Sequence, residues 1–408
     1  MHDALISFRN HIIGFLYRHI LKQFFFRLDP EMVHGRMILV GRILGLNPLS
    51  RILTKLMFYY SADSLEQTIL GIRFKNPIGL AAGFDKDARL TAILPEVGFG
   101  FVEVGSITGE RCAGNPKPRL WRLPESKSLV VNYGLKNDGA EIISARLKGK
   151  KFNFPLGTSI AKTNNQETCE IDAGVADYVK GFGYFADIGD YFTINISCPN
   201  AYGGQPFTES SRLEKLLREL RKIPTKKPIF IKLSPDLSKE SVDKIISLIF
   251  KYKMDGVICT NLTKNRHNPK IVEKVVPENG GMSGKVVEDL SDELIRYVYR
   301  KTGGKMVIIG CGGVFNAADA YKKICLGASL VQMVTGMIYQ GPQVIGEINQ
   351  GLVRLLKLGG LTSISQAVGI DNELPRSKAD EVSLRASSSV TDSSLLQADR
   401  VFSIKNKK

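Results

Sequence analysis

The sequence predicts an α/β protein built on a (β/α)8 barrel, and three observations support this fold class. The chain has 408 residues, of which 43% are hydrophobic and 24% charged, an ordinary globular composition that excludes collagen, coiled coil and wholesale disorder. Apolar, β-rich runs recur roughly every 30 to 40 residues over positions 71–365, with helical patterns between them. Eight such units are typical of a TIM barrel, and a doubly wound parallel sheet is the alternative.

The first segment, residues 1–60, is predicted to be an N-terminal helical extension. It has eight Lys or Arg against three acidic residues, and apolar residues between Ile12 and Leu21 recur at near-helical spacing. Asp29-Pro30-Glu31 predicts a helix start with Asp29 as N-cap, and another helical stretch covers 49–59. A basic helical pair with an apolar face is typical of an element that lies on a membrane. The alternative is a helical lid that packs on the barrel and touches no lipid.

The barrel is predicted over residues 71–365. Its eight strands are expected at 77–83, 101–108, 154–161, 191–198, 228–234, 256–262, 305–313 and 329–335. Continuous apolar strands of this kind belong to a parallel sheet that is covered on both faces. Residues 371–408 are polar, Ser-rich and charged, which predicts a disordered tail.

The charge and the cysteines restrict the kinds of partner and site. The net charge of +16 indicates an anionic partner: nucleic acid, anionic lipid or a small acidic substrate. The six cysteines lack a C-x-x-C pair, so no disulfide framework and no metal or iron–sulfur site is expected. We interpret most of them as core residues in a reducing compartment. No signal peptide and no apolar stretch of ~20 residues is recognised, which predicts an intracellular protein that meets a membrane only from the side.

Polar and glycine-rich motifs follow several of the predicted strands. The first strand leads into Gly83-Phe84-Asp85-Lys86-Asp87, the fourth into Asn195-Ile196-Ser197-Cys198-Pro199-Asn200, and the sixth into Thr260-Asn261. Gly310-Cys311-Gly312-Gly313 and Thr335-Gly336 follow the last two strands, where a barrel commonly binds a phosphate group. These residues together predict an active site for a small molecule at one rim of the barrel. They do not by themselves name the reaction.

With Ala81-Ala82 and Gly280-Gly281-Met282-Ser283-Gly284, these motifs resemble the dihydroorotate dehydrogenase family in order and spacing, over roughly residues 20–365. The extension, which ends in Leu28-Asp29-Pro30-Glu31-Met32-Val33-His34, resembles the class 2 branch, whose members associate with a membrane and pass electrons to a quinone. The resemblance implies oxidation of (S)-dihydroorotate to orotate in pyrimidine synthesis, with FMN as cofactor and a quinone as final acceptor. It also implies peripheral association with a cell or organelle inner membrane, no nucleic acid and no obligate protein partner.

The resemblance also assigns expected roles to individual residues. Cys198 stands at the position of the catalytic base. The residues expected to bind the substrate are Lys86, Asn132, Gly134, Leu135, Asn195, Asn200 and Asn261. The residues expected to bind FMN are Ala82, Gly83, Lys86, Ser106, Ser159, Asn195, Lys232, Thr260, Gly284, Gly312, Gly313, Val334 and Thr335. A free thiol has a pKa of about 8.5, so a modest fall at Cys198 would ionise it near neutrality.

The chain departs from the family pattern at several positions. Class 2 members usually have serine where this chain has Cys198, whereas cysteine there is usual in class 1. The remaining departures are Val131 and Asn132 for an Asn-Arg pair, Ser159 for an asparagine, Leu262 for a threonine, Val334 for a tyrosine, and Gly203-Gly204-Gln205 for Gly-Leu-Arg.

Other functions remain open at this point. One is a different flavin barrel of the dihydropyrimidine or dihydrouridine type, of which the latter would use the charge to hold tRNA. A second is a dihydroorotate dehydrogenase that uses fumarate or another acceptor. A third is a catalytically inactive binding protein, in which Cys198 would be a buried inert thiol.

Overall fold

The strands of the chain form one barrel and two small sheets. The structure is a computed structural model that describes residues 2–372. Its strands are β1 (Gln67–Ile69), β2 (Ile72–Phe74), β3 (Ile78–Leu80), β4 (Phe101–Ile107), β5 (Leu120–Leu123), β6 (Ser128–Val131), β7 (Leu156–Ile160), β8 (Tyr191–Asn195), β9 (Ile229–Leu233), β10 (Gly256–Cys259), β11 (Gly281–Gly284), β12 (Val307–Cys311) and β13 (Leu330–Met333).

Eight of these strands close into a parallel barrel in the order β3, β4, β7, β8, β9, β10, β12, β13, and β13 pairs with β3. All eight predicted strands are confirmed, and so is the barrel. β4, β7, β8, β9, β10 and β13 are buried along their whole length, because helices cover the outside and side chains fill the interior.

The helices alternate with the barrel strands after an N-terminal group. They are α1 (His2–Leu16), α2 (Lys22–Phe26), α3 (Pro30–Leu46), α4 (Pro48–Phe58), α5 (Leu94–Val97), α6 (Ala140–Leu147), α7 (Ile171–Tyr184), α8 (Ser210–Leu220), α9 (Lys239–Lys251), α10 (Glu288–Thr302), α11 (Ala317–Cys325), α12 (Thr335–Gln340) and α13 (Val344–Leu358). A π-helical segment, Tyr17–Leu21, joins α1 to α2. In α8 the buried residues are Leu213, Leu216, Leu217 and Leu220, which is the spacing of one helical face toward the barrel.

The two ends of the barrel differ in chemistry. At the amino end, β1 and β2 form an antiparallel hairpin, and Phe74 packs with Phe101, Tyr191 and Phe230 in an apolar cluster. At the carboxyl end, an antiparallel sheet in the order β11-β6-β5 lies beside the barrel, and its residues Leu120, Leu129 and Ser283 line the central cavity. The accessible cavity is therefore at the carboxyl end, as in other barrels of this type.

The N-terminal extension packs on the barrel. Asp29 Oδ1 accepts a hydrogen bond from the backbone N–H of Met32 at 2.7 Å, so it caps α3 as the sequence predicts. Tyr17 donates to the carbonyl of Ile338 at 2.7 Å, and the described extension and barrel belong to one compact unit that ends at Asn372. Within residues 2–372, no single helix is long and apolar enough to cross a bilayer; α3 and α4 meet that criterion only as a pair bent by 113°.

The sequence predicts a tail that begins at residue 371, which is two residues too early. The backbone N–H of Asp371 donates to the carbonyl of Cys325 at 3.0 Å, and Asn372 Nδ2 donates to the carbonyl of Leu326 at 2.9 Å. These two residues therefore pack at the end of α11 instead of belonging to a tail. The rest of the predicted tail, residues 373–408, lies outside the described residues.

Candidate active site

A deep cavity opens at the carboxyl end of the barrel. Its interior volume is about 210 Å³, and the space counted out to its mouth, which includes open solvent, is about 1280 Å³. The predicted site residues that line it are Ala82, Gly83, Lys86, Ser106, Gly134, Leu135, Asn195, Cys198, Asn200, Lys232, Thr260, Asn261, Gly284, Gly312, Gly313, Val334 and Thr335. Residues that are far apart in the sequence therefore meet in one place.

Two expected site residues do not line this cavity. Ser159 is fully buried, and its hydroxyl is hydrogen-bonded to that of Ser106 at 2.8 Å. Asn132 Oδ1 accepts from Asn115 Nδ2 at 2.9 Å. Ser159 thus supports Ser106 from behind, and Asn132 faces a neighbouring loop.

Two amides at strand ends form the floor of the site. Asn195 is the last residue of β8, and Asn261 lies two residues beyond β10. Asn261 Nδ2 donates to Asn195 Oδ1 at 3.0 Å, and Asn195 Nδ2 donates to Ser106 Oγ at 2.8 Å. These bonds fix the orientation of both amides before any ligand binds.

The loop after β8 holds Cys198, and we call residues 198–202 the base loop. Asn200 Nδ2 donates to the carbonyl of Val131 at 2.7 Å, whereas its buried Oδ1 has no partner among the described residues. Burial raises the pKa of the Cys198 thiol, and the backbone N–H of Asn200 and the ammonium of Lys162 oppose this rise. The expected fall of this pKa is therefore wrong: sequence spacing does not show how completely the thiol is desolvated.

Lys86 lies between the barrel and the extension. Its Nζ is 3.3 Å from Nε2 of His34 and 3.9 Å from the ring centre of Tyr133. Burial lowers the pKa of Lys86 to about 8, and Asp87 opposes this fall. Near neutral pH its ammonium is therefore available to an anionic ligand.

A second lysine and a glycine turn also line the cavity. Lys232 on β9 is in register with Asn195 on β8; it is 5% exposed, and no hydrogen bond joins its ammonium to another described residue. Gly312 and Gly313 follow β12 with φ of +124° and +75°, a backbone region that glycine adopts without strain. Their backbone N–H groups have no acceptor within residues 2–372, so they are free to bind a phosphate.

Sequence reasoning missed several cavity residues. His34, Phe84, Leu120, Leu129, Tyr133 and Ser283 also line the cavity. His34 and Ser283 belong to motifs that support the family resemblance, so their position in those motifs could have identified them as site residues. Leu120 and Leu129 come from β5 and β6, whose short strands gave no distinct periodicity.

Within the described residues, no cluster of His, Cys, Asp or Glu is arranged to hold a metal ion. The site instead combines two lysines, three amides, a thiol and unpaired backbone donors in one large cavity. Together with the closed barrel, this arrangement is typical of an enzyme site for a small anionic ligand.

Comparisons with known proteins identify the family. The model of the family described as dihydroorotate dehydrogenase matches residues 64–356. The chain is 37% identical to the dihydroorotate dehydrogenase (quinone) of Trichodesmium erythraeum over 380 residues, which cover 88% of this chain and 99% of that protein. It is 42% identical to the protein of the same name from Crocosphaera subtropica over 325 residues, 77% of this chain and 85% of that one. The chain belongs to the dihydroorotate dehydrogenase family, as its motifs predict, and is an oxidoreductase.

The fold agrees with this assignment. A crystal structure of DHODH from Eimeria tenella in complex with ferulenol aligns with a TM-score of 0.75 and 29% identity, covering 85% of this chain and 96% of that one. The ligand-free structure from the same organism gives 0.76 over all of that chain and 85% of this one. The other flavin barrels and the inactive binding protein that the sequence left open gain no support from these comparisons.

Proposed function

We propose that the chain oxidises (S)-dihydroorotate to orotate, with FMN as the bound hydride acceptor and a membrane quinone as the final acceptor. The observation that supports this most is the single cavity that joins Cys198, the three amides and Lys86 to the glycine turns on one side and to His34 of the extension on the other. The reaction needs a substrate, a flavin and a quinone, and we propose that different groups of these lining residues bind each of them.

The residues present fit FMN. Gly83 has a φ of +107°, and a Cβ built on it would meet no atom within 4 Å, so this glycine leaves open space beside which a flat ring would lie. Lys232 would donate to an electronegative edge of that ring, since a buried ammonium without a partner is costly. Gly312, Gly313 and Thr335 would hold the phosphate. When bound, FMN supplies the acceptor for the hydride from C6 of dihydroorotate.

The protein's own residues would bind the substrate and move its proton. Lys86 would pair with the substrate carboxylate through a charge-assisted hydrogen bond. The unpartnered Oδ1 of Asn200 requires a donor, which an imide N–H of the substrate would provide. Cys198 would accept the proton from C5 as a thiolate. Because burial raises the pKa of this thiol, we expect the rate to increase with pH as more of the thiol ionises.

The extension would form the quinone side of the site. His34 on α3 and Leu120 and Leu129 of the covering sheet line the cavity, which gives an apolar approach from the extension toward the ring site. Arg119 donates to both carboxylate oxygens of Glu31 on α3, at 3.1 and 2.8 Å. This ion pair is mostly buried and would hold α3 over the mouth of the cavity.

The same helices would place the enzyme on a membrane surface. Apolar side chains on α3 and α4 are exposed without a protein partner in the described residues; they are Leu39, Ile43, Leu46, Leu49, Ile52, Leu53, Leu56 and Met57. We call these residues the apolar face. Arg36, Arg42, Arg51 and Lys55 lie on the same two helices, so anionic headgroups would add to the attraction. We propose peripheral attachment to the inner membrane of a cell or organelle.

Two half-reactions test the proposed function. The purified protein should carry FMN that bleaches anaerobically on addition of dihydroorotate. A short-chain quinone should then restore the oxidised spectrum rapidly, whereas fumarate and NAD should not. Protein without FMN, or FMN that dihydroorotate fails to bleach, would contradict the dehydrogenase reaction; rapid reoxidation by fumarate or NAD alone would contradict the quinone assignment.

A further inference from the structure

Lys162 is a buried lysine that the proposed mechanism does not use. It lies two residues beyond β7 and is 3% exposed. Its Nζ donates to the carbonyl of Tyr202 at 2.9 Å and to Thr168 Oγ1 at 3.3 Å. Tyr202 is the last residue of the base loop, so the ammonium reaches across from one strand end to the loop that holds Cys198.

No carboxylate contacts this ammonium directly among the described residues. Among the carboxylates, Asp177 has the largest effect on the pKa of Lys162. The oxygens of Asp177, however, accept hydrogen bonds from the backbone N–H and the hydroxyl of Thr163, both at 2.7 Å, and from the backbone N–H of Gly109 at 3.3 Å. A buried cation without an ion pair is costly to a folded protein. Its persistence beside the base loop suggests that the missing anion forms during the reaction.

The thiols of Cys169 and Cys198 are among the groups around Lys162 that could supply that anion, and Cys198 is the one on the loop that Lys162 contacts through Tyr202. Burial lowers the pKa of Lys162, and Cys169, Asp177, Cys198 and Cys112 oppose this fall. At Cys198, burial raises the pKa and Cys112 adds to the rise, whereas the N–H of Asn200, the ammonium of Lys162 and, more weakly, Lys264 lower it. Lys162 is thus the side chain that most favours a thiolate at Cys198.

We propose that Lys162 is a positioning residue that anchors the base loop through Tyr202 and stabilises the thiolate of Cys198. The inference rests on the proposed role of Cys198 as base. Lys162 exchanges no proton in this scheme: the thiol proton leaves to solvent, and the proton from C5 of the substrate then forms the new S–H bond. The lysine supplies a fixed positive charge in a site with little water.

Alkylation of Cys198 in the FMN-bound enzyme tests the proposal without turnover. The native enzyme and Lys162→Gln, which retains a donor for Tyr202 but loses the charge, are treated with iodoacetamide from pH 6 to 10, and the Cys198 peptide is quantified by mass spectrometry. Only the thiolate reacts, so we expect alkylation at pH 7 to slow about tenfold in Lys162→Gln and the profile to move to higher pH. An unchanged rate and profile would overturn the proposal.

Two further variants keep the test decisive. Lys162→Arg retains the positive charge, so it should keep most of the native alkylation rate. A loss of about tenfold in Lys162→Arg, as large as that expected of Lys162→Gln, would overturn the electrostatic part of the proposal. This comparison with the native enzyme holds even if Lys162→Gln is not obtained folded. Lys227→Gln is the matched control, because Lys227 is likewise a lysine that makes two hydrogen bonds, in its case to the carbonyls of Phe185 and Ile188. It precedes β9 at the opposite end of the barrel, and its loss should leave the Cys198 profile unchanged.

Anaerobic bleaching of FMN by dihydroorotate separates this proposal from the proposed function. If the alkylation and bleaching profiles shift together in Lys162→Gln, both the role of Lys162 and that of Cys198 are supported. If alkylation shifts while bleaching keeps its native rate and pH profile, the action of Lys162 on the thiolate is supported and the base role of Cys198 fails.

Discussion

Nζ of Lys86 lies 3.3 Å from Nε2 of His34, which connects the substrate lysine of the barrel to helix α3 of the extension. Burial lowers the pKa of His34 well below its ordinary value, and the ammonium of Lys86 lowers it further. His34 is therefore neutral near pH 7 and can accept a hydrogen bond from Lys86. The extension thus contributes to the proposed substrate side of the cavity as well as to its proposed quinone side.

The lowered pKa of Lys86, about 8, predicts a falling limb in the pH profile. The ammonium is present below this pKa and is lost as the pH rises through it, so the affinity for dihydroorotate, measured as 1/KM, should fall above about pH 8. Lys86→Met should remove the limb and raise KM by about 10- to 100-fold. Steady-state kinetics with a short-chain quinone from pH 6 to 10 measure both effects.

Lys227 provides the control for this limb. Burial lowers its pKa to about 8 as well, but it lies at the amino end of the barrel. A limb that disappears in Lys227→Gln and persists in Lys86→Met would show that the lysine of the cavity does not bind the substrate.

The apolar face predicts where the enzyme meets lipid. The double change Leu49→Glu and Leu56→Glu should weaken binding to vesicles of phosphatidylcholine and phosphatidylglycerol by about tenfold or more, because charges would replace two exposed leucines that we expect to contact the lipid. Reduction of a long-chain quinone in those vesicles should fall with it, while anaerobic bleaching of FMN by dihydroorotate should remain native. Sedimentation with vesicles and stopped-flow absorbance measure the two properties.

Leu358 serves as the comparison for the apolar face, since it is 85% exposed at the end of α13. Leu358→Glu should leave vesicle binding unchanged. Equal loss of binding in both proteins would mean that attachment follows general surface charge, and native binding by the double variant would place the lipid contact elsewhere.

The glycine turn after β12 predicts a specific loss of FMN. A Cβ on Gly313 would lie 2.4 Å from Cβ of Glu288, so Gly313→Ala must displace the turn or the start of α10. We expect purified Gly313→Ala to retain less FMN per protein than the native enzyme, as measured by absorbance after gentle purification.

Gly149→Ala separates this effect from backbone strain. Gly149 has the same φ of +75°, and its Cβ would meet nothing within 4 Å. It should lose about 1–2 kcal/mol of stability from the left-handed conformation and keep its full FMN content. Equal FMN content in the two variants would exclude Gly313 from the phosphate site.

The sequence predicts the barrel well because its strands are continuous apolar runs, such as β9 over Ile229–Leu233, in which every residue is buried. It does not predict β5 or the β1–β2 hairpin, whose residues are mostly half-exposed and lack such a signal. The motifs bring Cys198 and the amides to one rim, but the buried position of Ser159 behind Ser106 depends on side-chain packing that no motif specifies. The direction of the Cys198 pKa likewise depends on how deeply the folded chain buries the thiol.

The central claim is that Cys198 takes the proton from C5 of dihydroorotate, and anaerobic stopped-flow bleaching of FMN from pH 6 to 10 tests it most directly. Because burial raises the pKa of this thiol, the native rate should increase with pH. In Cys198→Ala, FMN should bleach at least about 10²-fold more slowly and the rate should no longer depend on pH in this way. Cys198→Ser should also be about 10²-fold slower, and both variants should retain FMN and still bind orotate. Cys325→Ala changes a thiol outside the cavity and should match the native enzyme. A native rate and pH profile in Cys198→Ala would show that the thiol is packing and that the proton leaves by another route.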